Sequence, residues 1–124
     1  MKWVLLIALG ASLGAVCRWL LSIWLNPLGE HIAVGTLVAN VIGCFIIGLA
    51  MAAFFSHPAT SAELRVFLVT GFLGSLTTFS SFSGEVVEKL LSDKWLNAFG
   101  VIAMHLGLGL AFTALGYGLW RWLN

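Results

Sequence analysis

The sequence predicts an all-α integral membrane protein with four transmembrane helices. Three observations support this fold class: 60% of the residues are hydrophobic and only 9% are charged, the apolar residues form four long runs, and short polar segments separate the runs. An ordinary soluble domain carries about 25% charged residues, so this chain has too few to cover a soluble surface. The apolar content excludes disorder. A formal net charge of +1 without a basic patch gives no support to nucleic-acid binding.

Each apolar run is long enough to form one transmembrane helix, since about 20 residues cross the hydrocarbon core. The runs cover residues 3–25, 32–55, 66–91 and 95–120. Four crossings use almost the whole chain, so we expect one four-helix domain over residues 1–124 and no extramembrane domain. The segments between the runs contain turn-forming residues, and Ser61 is expected to cap the third helix ahead of Glu63.

The first run has an alternative interpretation as a signal peptide. Met1 and Lys2 precede an apolar stretch that includes small residues, as a signal peptide would. The run continues to Leu25, however, which is longer than the apolar region of about 7–15 residues found in signal peptides. We therefore expect a transmembrane helix here.

The six basic residues divide equally between the two sides of the predicted bundle. The side of the termini carries Lys2, Arg65 and Arg121. The other side carries Lys89 and Lys94, with Arg18 in the nearer half of the first run. An imbalance of Lys and Arg in short loops normally orients a membrane protein. Either this small chain balances by chance, or it inserts in both orientations and assembles as an antiparallel homodimer. Four short helices enclose little space, so oligomerisation is expected in any case.

The third run contains six hydroxyl residues within Ser75–Ser83, near its middle. Glycines flank this segment, and a glycine weakens a helix by about 1 kcal/mol relative to alanine. Thr77 and Thr78 can also bond locally to the backbone and compete with the helical ladder. We therefore expect a third helix that is broken at mid-membrane. Freed carbonyl groups at such a break favour a cation, and the N-terminus of the following half-helix favours an anion.

Two phenylalanines and one amide are candidate anion contacts. Phe79 and Phe82 are three residues apart and share a helix face. Aromatic ring edges are electropositive, so they can line an anion's path together with hydroxyl groups and without a fixed charge. Asn40, inside the second run, either bonds to another helix or donates to a permeating anion. In the fourth run, His105 and Thr113 are the polar positions, and His105 is expected to be a bonded structural group.

Two ionisable residues lie well inside the runs. An arginine at the centre of a membrane helix costs at least ~2.5 kcal/mol on insertion scales. Arg18 therefore either extends its side chain to the nearer interface or draws anions into a vestibule. Glu85 is the acid that lies well inside a run, and the alternative to a pore role is an ion pair with a basic residue such as Arg18, on the same chain or on a partner chain.

Taken together, these residues resemble a known family. The segment GFLGSLTTFSSFSGE, residues 71–85, closely resembles the signature of the CrcB/Fluc family of fluoride channels. The segment GTLVAN, residues 35–40, and the Arg18-Trp19 pair resemble that family as well. The resemblance implies a dual-topology, antiparallel homodimer in the inner (plasma) membrane, in contact with lipid. It further implies two pores at the dimer interface that conduct fluoride passively out of the cell, and no enzymatic activity.

The resemblance also implies roles for individual residues. Phe79 and Phe82 would line the pore with their ring edges, and Asn40 would donate to the anion near them. The implied hydroxyl track consists of Ser80, Ser81, Ser83 and, in the fourth run, Thr113. Backbone carbonyls of Gly74 and Thr77 would hold a structural sodium ion at the dimer centre. Arg18 would lie at the pore vestibule and Glu85 near the pore.

The sequence departs from the family pattern at three positions. Ser75 and Ser81 stand where glycine and threonine are common, and Ser81 keeps the hydroxyl group. Gly109 stands where a serine is common ahead of Thr113, which leaves one end of the hydroxyl track without a donor.

The sequence can be compared with two functions other than a fluoride channel. A small multidrug exporter has a similar size and four spans, but it would need an acidic residue in the first span, where this chain has Arg18. A non-transporting assembly protein would leave the hydroxyl and phenylalanine segment unexplained.

Overall fold

The computed structural model describes all 124 residues as helices joined by short connections, which confirms the all-α prediction. The helices are α1 (Lys2–Leu25), α2 (Val34–Ser56), α3 (residues 62–76), α4 (Phe79–Leu91) and α5 (Trp95–Leu123). A 3₁₀ turn over Asn26–Leu28 joins α1 to α2. Helix α3 contains α-helical Ala62–Arg65, a wider π-helical stretch over Val66–Leu73 and a final turn over Gly74–Leu76.

Four segments are long and apolar enough to cross a membrane, in agreement with the predicted four runs. They are Lys2–Leu28, Val34–Ser56, Ala62–Leu91 and Trp95–Leu123. The helices begin and end within a few residues of the predicted runs. The largest difference is at the start of α3, where the hydroxyl of Ser61 accepts a hydrogen bond from the N–H of Leu64 at 3.2 Å. This confirms the predicted cap, which lets the helix begin at Ala62, ahead of the apolar run.

Side chains from other segments cap the N-terminus of α2. The Asn26 Oδ1 accepts hydrogen bonds from the N–H groups of Gly35 (2.7 Å) and Thr36 (3.3 Å). The Glu85 Oε2 accepts another from the N–H of Ala33 at 2.8 Å. The free N–H groups of a helix start need partners when water is excluded. These bonds therefore join the start of α2 to the end of α1 and to α4.

Small residues allow the helices to pack with their backbones in contact. A Cβ atom added to Gly48 of α2 would collide with the carbonyl oxygen of Thr113 on α5, and one added to Gly116 of α5 would collide with that of Phe45 on α2. Gly14 of α1 lies in the same way against the backbone of Phe72 in α3. Close backbone approach at small residues is typical of helix packing in membranes. Helices α2 and α5 thus form one closely packed pair, and α1 and α3 form another.

Large apolar side chains are exposed on the outer faces of every long helix. Val4, Phe55 and Leu96 are 61%, 71% and 84% exposed. Only 19 of the 124 residues are buried, because four spans enclose little interior. Such apolar surfaces suit contact with lipid or with another protein chain.

Candidate functional site

The helical backbone is interrupted at Thr77 and Thr78, between α3 and α4. Thr77 (φ −87°, ψ 153°) and Thr78 (φ −147°, ψ 114°) are both extended. The N–H and the hydroxyl of Thr77 still donate to the carbonyl of Leu73, at 3.1 and 2.9 Å. Thr78 instead begins the next helix, because its hydroxyl accepts from the N–H of Ser81 at 3.1 Å. The two threonines thus end one helix and cap the other.

Asn40 of α2 binds both backbone groups of Thr78. The N–H of Thr78 donates to Asn40 Oδ1 at 2.7 Å, and Asn40 Nδ2 donates to the carbonyl of Thr78 at 3.1 Å. Asn40 Nδ2 also lies 3.2 Å from His105 Nδ1 on α5. The amide therefore satisfies extended backbone that has no helical partner. Of the two alternatives for Asn40, the bond to another helix is present in the chain, and donation to an anion stays a prediction.

Two carbonyl oxygens beside the interruption lack their helical donors. In an unbroken helix the carbonyl of Gly74 would accept from the N–H of Thr78, and that of Thr77 from the N–H of Ser81. Both N–H groups bind side-chain oxygens instead, on Asn40 and Thr78. The chain has no cluster of three His, Cys, Asp or Glu side chains that could hold a metal. A hard cation in this region would therefore bind oxygens such as these carbonyls.

A cavity of about 430 Å³ lies beside the interruption. Among the predicted site residues, its walls include Asn40, Gly74, Thr77, Phe79 and Phe82, together with the unpredicted Cys44 and His105. No Asp, Glu, Lys or Arg side chain lines it. The site therefore offers amide, hydroxyl and aromatic groups without a fixed charge.

The two phenylalanine rings lie next to each other but differ in exposure. Their centroids are 5.6 Å apart with the ring planes at 58°. Phe82 is half-buried and its ring centroid lies 4.6 Å from that of His105, whereas Phe79 is 77% exposed. Phe79 therefore forms part of the cavity wall and part of the outer surface of the chain.

None of the four residues of the predicted hydroxyl track lines the cavity. Ser80 and Ser81 are exposed on the first turn of α4, and Ser83 is half-buried one turn further along. The Thr113 hydroxyl donates to the carbonyl of Gly109 in its own helix at 2.8 Å. A side chain at Gly109 would touch the Cys44 sulfur at 3.4 Å, an ordinary contact distance. The chain thus has space for a Cβ atom at position 109, where it carries none.

Arg18 and Glu85 bond to different parts of the chain. The Nε of Arg18 donates to the carbonyl of Ser75, in the last turn of α3, at 3.0 Å. Glu85 binds the N–H of Ala33, and its Oε2 lies 4.0 Å from the Nζ of Lys89 on the same helix. The pair of Glu85 with Arg18 that the sequence suggested is therefore not formed within the chain, and Lys89 is the basic residue beside Glu85.

The fold and this site define a small multi-pass membrane protein with an uncharged polar site at an interrupted helix. The chain belongs to the CrcB family, since the family model described as "CrcB-like protein, Camphor Resistance (CrcB)" matches residues 5–117. This confirms the family that the sequence motifs suggested.

Three relatives, each named "Fluoride-specific ion channel FluC", show the extent of the similarity. The protein from Mannheimia succiniciproducens is 53% identical over 98% of this chain and 95% of its own length. The one from Haemophilus influenzae strain Rd is 54% identical over 98% of this chain and 76% of its own length. The one from Pasteurella multocida is 53% identical over 96% of this chain and 93% of its own length. The names describe ion channels and not enzymes.

Two features of the site were not predicted from the sequence. The bond of His105 to Asn40 agrees with the bonded structural group that was expected, but the place of His105 in the cavity wall, against the ring of Phe82, was not predicted. Asn26 was interpreted only as part of a turn, yet its side chain caps α2. Its partners lie nine and ten positions further along, a separation that reflects the path of the connection and has no short sequence signature.

Proposed function

We propose that this protein is a channel that conducts fluoride passively through the membrane. The similarity over nearly the whole chain to relatives named as fluoride-specific channels carries the proposal. The uncharged site beside Thr77 and Thr78, with its two phenylalanines, supports it. Each donor type that the resemblance implies is present around the interruption.

The chemistry of the site suits a strongly hydrated anion. Fluoride must exchange its water for groups that bind it well enough to enter and weakly enough to leave. Ring edges and hydroxyl groups are donors of this kind, whereas a buried lysine or arginine at the narrowest point would hold the ion. The cavity walls contain no such cation.

We further propose that two copies assemble in antiparallel orientation and that the pores lie between them. The exposed ring of Phe79 in the cavity wall supports this, because a second copy would cover it. The equal division of the six basic residues between the two sides gives neither orientation an advantage.

In the proposed assembly the third span is a broken helix whose interruption lies at mid-membrane. A structural sodium ion at the dimer centre would bind the carbonyls of Gly74 and Thr77. These residues fit the ion because their carbonyl groups lack helical donors. The ion would supply a fixed positive charge that holds the two interruptions together.

In the cell, the channel would lie in the inner (plasma) membrane and lower the cytoplasmic fluoride concentration. Fluoride that enters as neutral hydrogen fluoride dissociates inside, and the membrane potential, negative inside, then drives the anion out. The rival function, a proton-coupled cation exporter, would need an acidic residue in the first span, and α1 contains none. Glu85 is a poor substitute, because it is bonded to the N–H of Ala33 and lies beside Lys89.

Efflux from vesicles tests the proposed function. Purified protein is reconstituted into liposomes loaded with potassium fluoride, and valinomycin is added to carry the compensating potassium current. We expect rapid release of fluoride and little release of chloride from matched potassium chloride vesicles. Fluoride release equal to that of protein-free vesicles would contradict the proposal.

A further inference from the structure

The bonds of Asn40 fix the protonation of His105. The N–H of Thr78 can only donate, so the atom of Asn40 that it contacts is the amide oxygen, and Nδ2 must face His105. An amide nitrogen is a donor as well. The His105 Nδ1, 3.2 Å from it, must therefore accept and carry no proton.

We propose that His105 is a positioning residue of the channel, a neutral imidazole with its proton on Nε2 whose Nδ1 holds the Asn40 amide in the orientation that binds Thr78. Asn40 in turn holds the extended backbone between α3 and α4. The proposal deepens the proposed function and rests on it where fluoride conduction is the measurement.

The surroundings of His105 support this role. The residue is only 9% exposed, and the ring of Phe82 covers it with 4.6 Å between centroids. Its Nε2 is buried and has no hydrogen-bond partner in the chain. The ring therefore has a single bonding partner in the chain, Asn40, and cannot rotate to exchange nitrogens without leaving that partner.

Few charged groups face His105. Helix α2 contributes no charged residue, and Cys44 is its titratable group at the cavity. Helix α3 presents only uncharged residues there, including Thr77. Helix α4 contributes Glu85, which acts electrostatically on the ring and has Lys89 beside it. The basic residues nearest to α5 are far along the chain from His105: Lys94 precedes the helix and Arg121 lies in its last turn.

Protonation of His105 would break the arrangement. A second proton on Nδ1 would point at the hydrogens of Asn40 Nδ2, so the amide would have to turn and lose both bonds to Thr78. Conduction should therefore fall when the medium is acidified far enough to protonate the His105 ring.

Three substitutions separate the role of Nδ1 from simple packing. In His105→Asn the side-chain oxygen can take the place of Nδ1 and accept from Asn40, whereas in His105→Gln the amide group lies near the place of Nε2. His105→Leu fills space and accepts nothing. We expect the Gln and Leu variants to conduct about fivefold more slowly, a factor that corresponds to the loss of one net hydrogen bond. The Asn variant should keep most of the original rate, and its rate should not decline on acidification.

Flux is measured in the potassium fluoride vesicles at each pH, after the leak of protein-free vesicles is subtracted. Equal rates for all three variants and the original protein would overturn the positioning role. So would an unchanged decline with acid in the Asn variant.

Nitrogen NMR of ¹⁵N-histidine-labelled full-length protein tests the same proposal without any flux. The signals of His105 are assigned by their loss in the Asn variant, which leaves His31 and His57. We expect a protonated Nε2 and a bare Nδ1 at neutral pH, and a protonated Nδ1 would overturn the proposal. If the protein conducts no fluoride, the proposed function fails, and the NMR result still decides the protonation of His105.

Discussion

The Nε of Arg18 on α1 donates a hydrogen bond to the carbonyl oxygen of Ser75, 3.0 Å away in the last turn of α3. In a continuous helix this carbonyl would accept from the N–H of Phe79, but the extended residues Thr77 and Thr78 intervene. A guanidinium group thus bonds to a backbone oxygen near the interruption. Charge and hydrogen bond are two separate contributions of this one side chain, and substitutions can separate them.

Replacing Arg18 by methionine should destabilise the protein by about 1–2 kcal/mol, because the part-buried Ser75 carbonyl loses its side-chain partner. Arg18→Lys keeps the charge without the fixed Nε–H, so we expect a smaller loss of stability and a nearly normal fluoride rate if the charge attracts anions. The change in stability is measured by thermal unfolding in detergent, with tryptophan fluorescence as the signal. Arg121→Met is the matched control, since Arg121 is exposed at the end of α5. Equal stability of the Arg18→Met and Arg121→Met variants would contradict the bonding role.

Glu85 holds the start of α2 through the N–H of Ala33. Glu85→Leu should therefore lower the free energy of unfolding by about 0.6 kcal/mol, the average for interhelical hydrogen bonds in a membrane protein, and by at most about 1.7 kcal/mol. Glu85→Gln keeps an accepting oxygen and should lose less. Glu88→Leu, at an exposed position one turn further along α4, controls for helix propensity. A Gln variant as unstable as the Leu variant would show that the charge beside Lys89 matters more than the bond to Ala33.

The two phenylalanines should contribute to conduction through their aromatic rings. Phe79→Ile and Phe82→Ile remove the electropositive ring edge and keep an apolar side chain, so we expect fluoride efflux to slow by about tenfold in each. Size-exclusion chromatography should show the oligomer unchanged. Phe99→Ile, at an exposed position on α5 away from the cavity, is the control and should conduct normally. Normal efflux in both pore variants would remove the rings from the mechanism.

Dual insertion makes the orientation sensitive to single charges. Reporters fused after Asn124 should be found on both sides of the membrane in the original sequence. Lys94→Gln removes a basic residue from the side opposite the termini, so it should increase the population with cytoplasmic termini, and Arg121→Gln should do the reverse. A reporter found on one side only, in all three proteins, would exclude the antiparallel dimer.

The sequence predicted the parts of this structure that depend on local composition. The four apolar runs correctly predicted four membrane-spanning segments, and Ser61 correctly predicted where α3 begins. Residue types at a fixed spacing also identified the family, because the segment from Gly71 to Glu85 combines hydroxyl groups, glycines and phenylalanines in an uncommon order.

Contacts between distant residues could not be predicted in the same way. Glu85 was expected either near the pore or in an ion pair with a basic residue such as Arg18. Its basic neighbour is Lys89, at 4.0 Å, and its hydrogen bond to the N–H of Ala33, 52 positions away, was not predicted. The bond between Asn40 and His105 spans 65 positions. Such partners depend on the rotation and depth of each helix in the bundle, and the periodicity of the sequence does not determine these. Between α2 and α5 they are fixed by the backbone contacts at Gly48 and Gly116.

The most direct test of passive conduction compares fluoride release from the same vesicles with and without valinomycin. A channel moves charge, so an initial release of fluoride should create a voltage that stops further efflux until valinomycin lets potassium follow. We expect a brief, small release without the ionophore and rapid, nearly complete release after its addition. Complete release at the same rate without valinomycin would show electroneutral transport, such as exchange or cotransport with protons, and would contradict a fluoride channel.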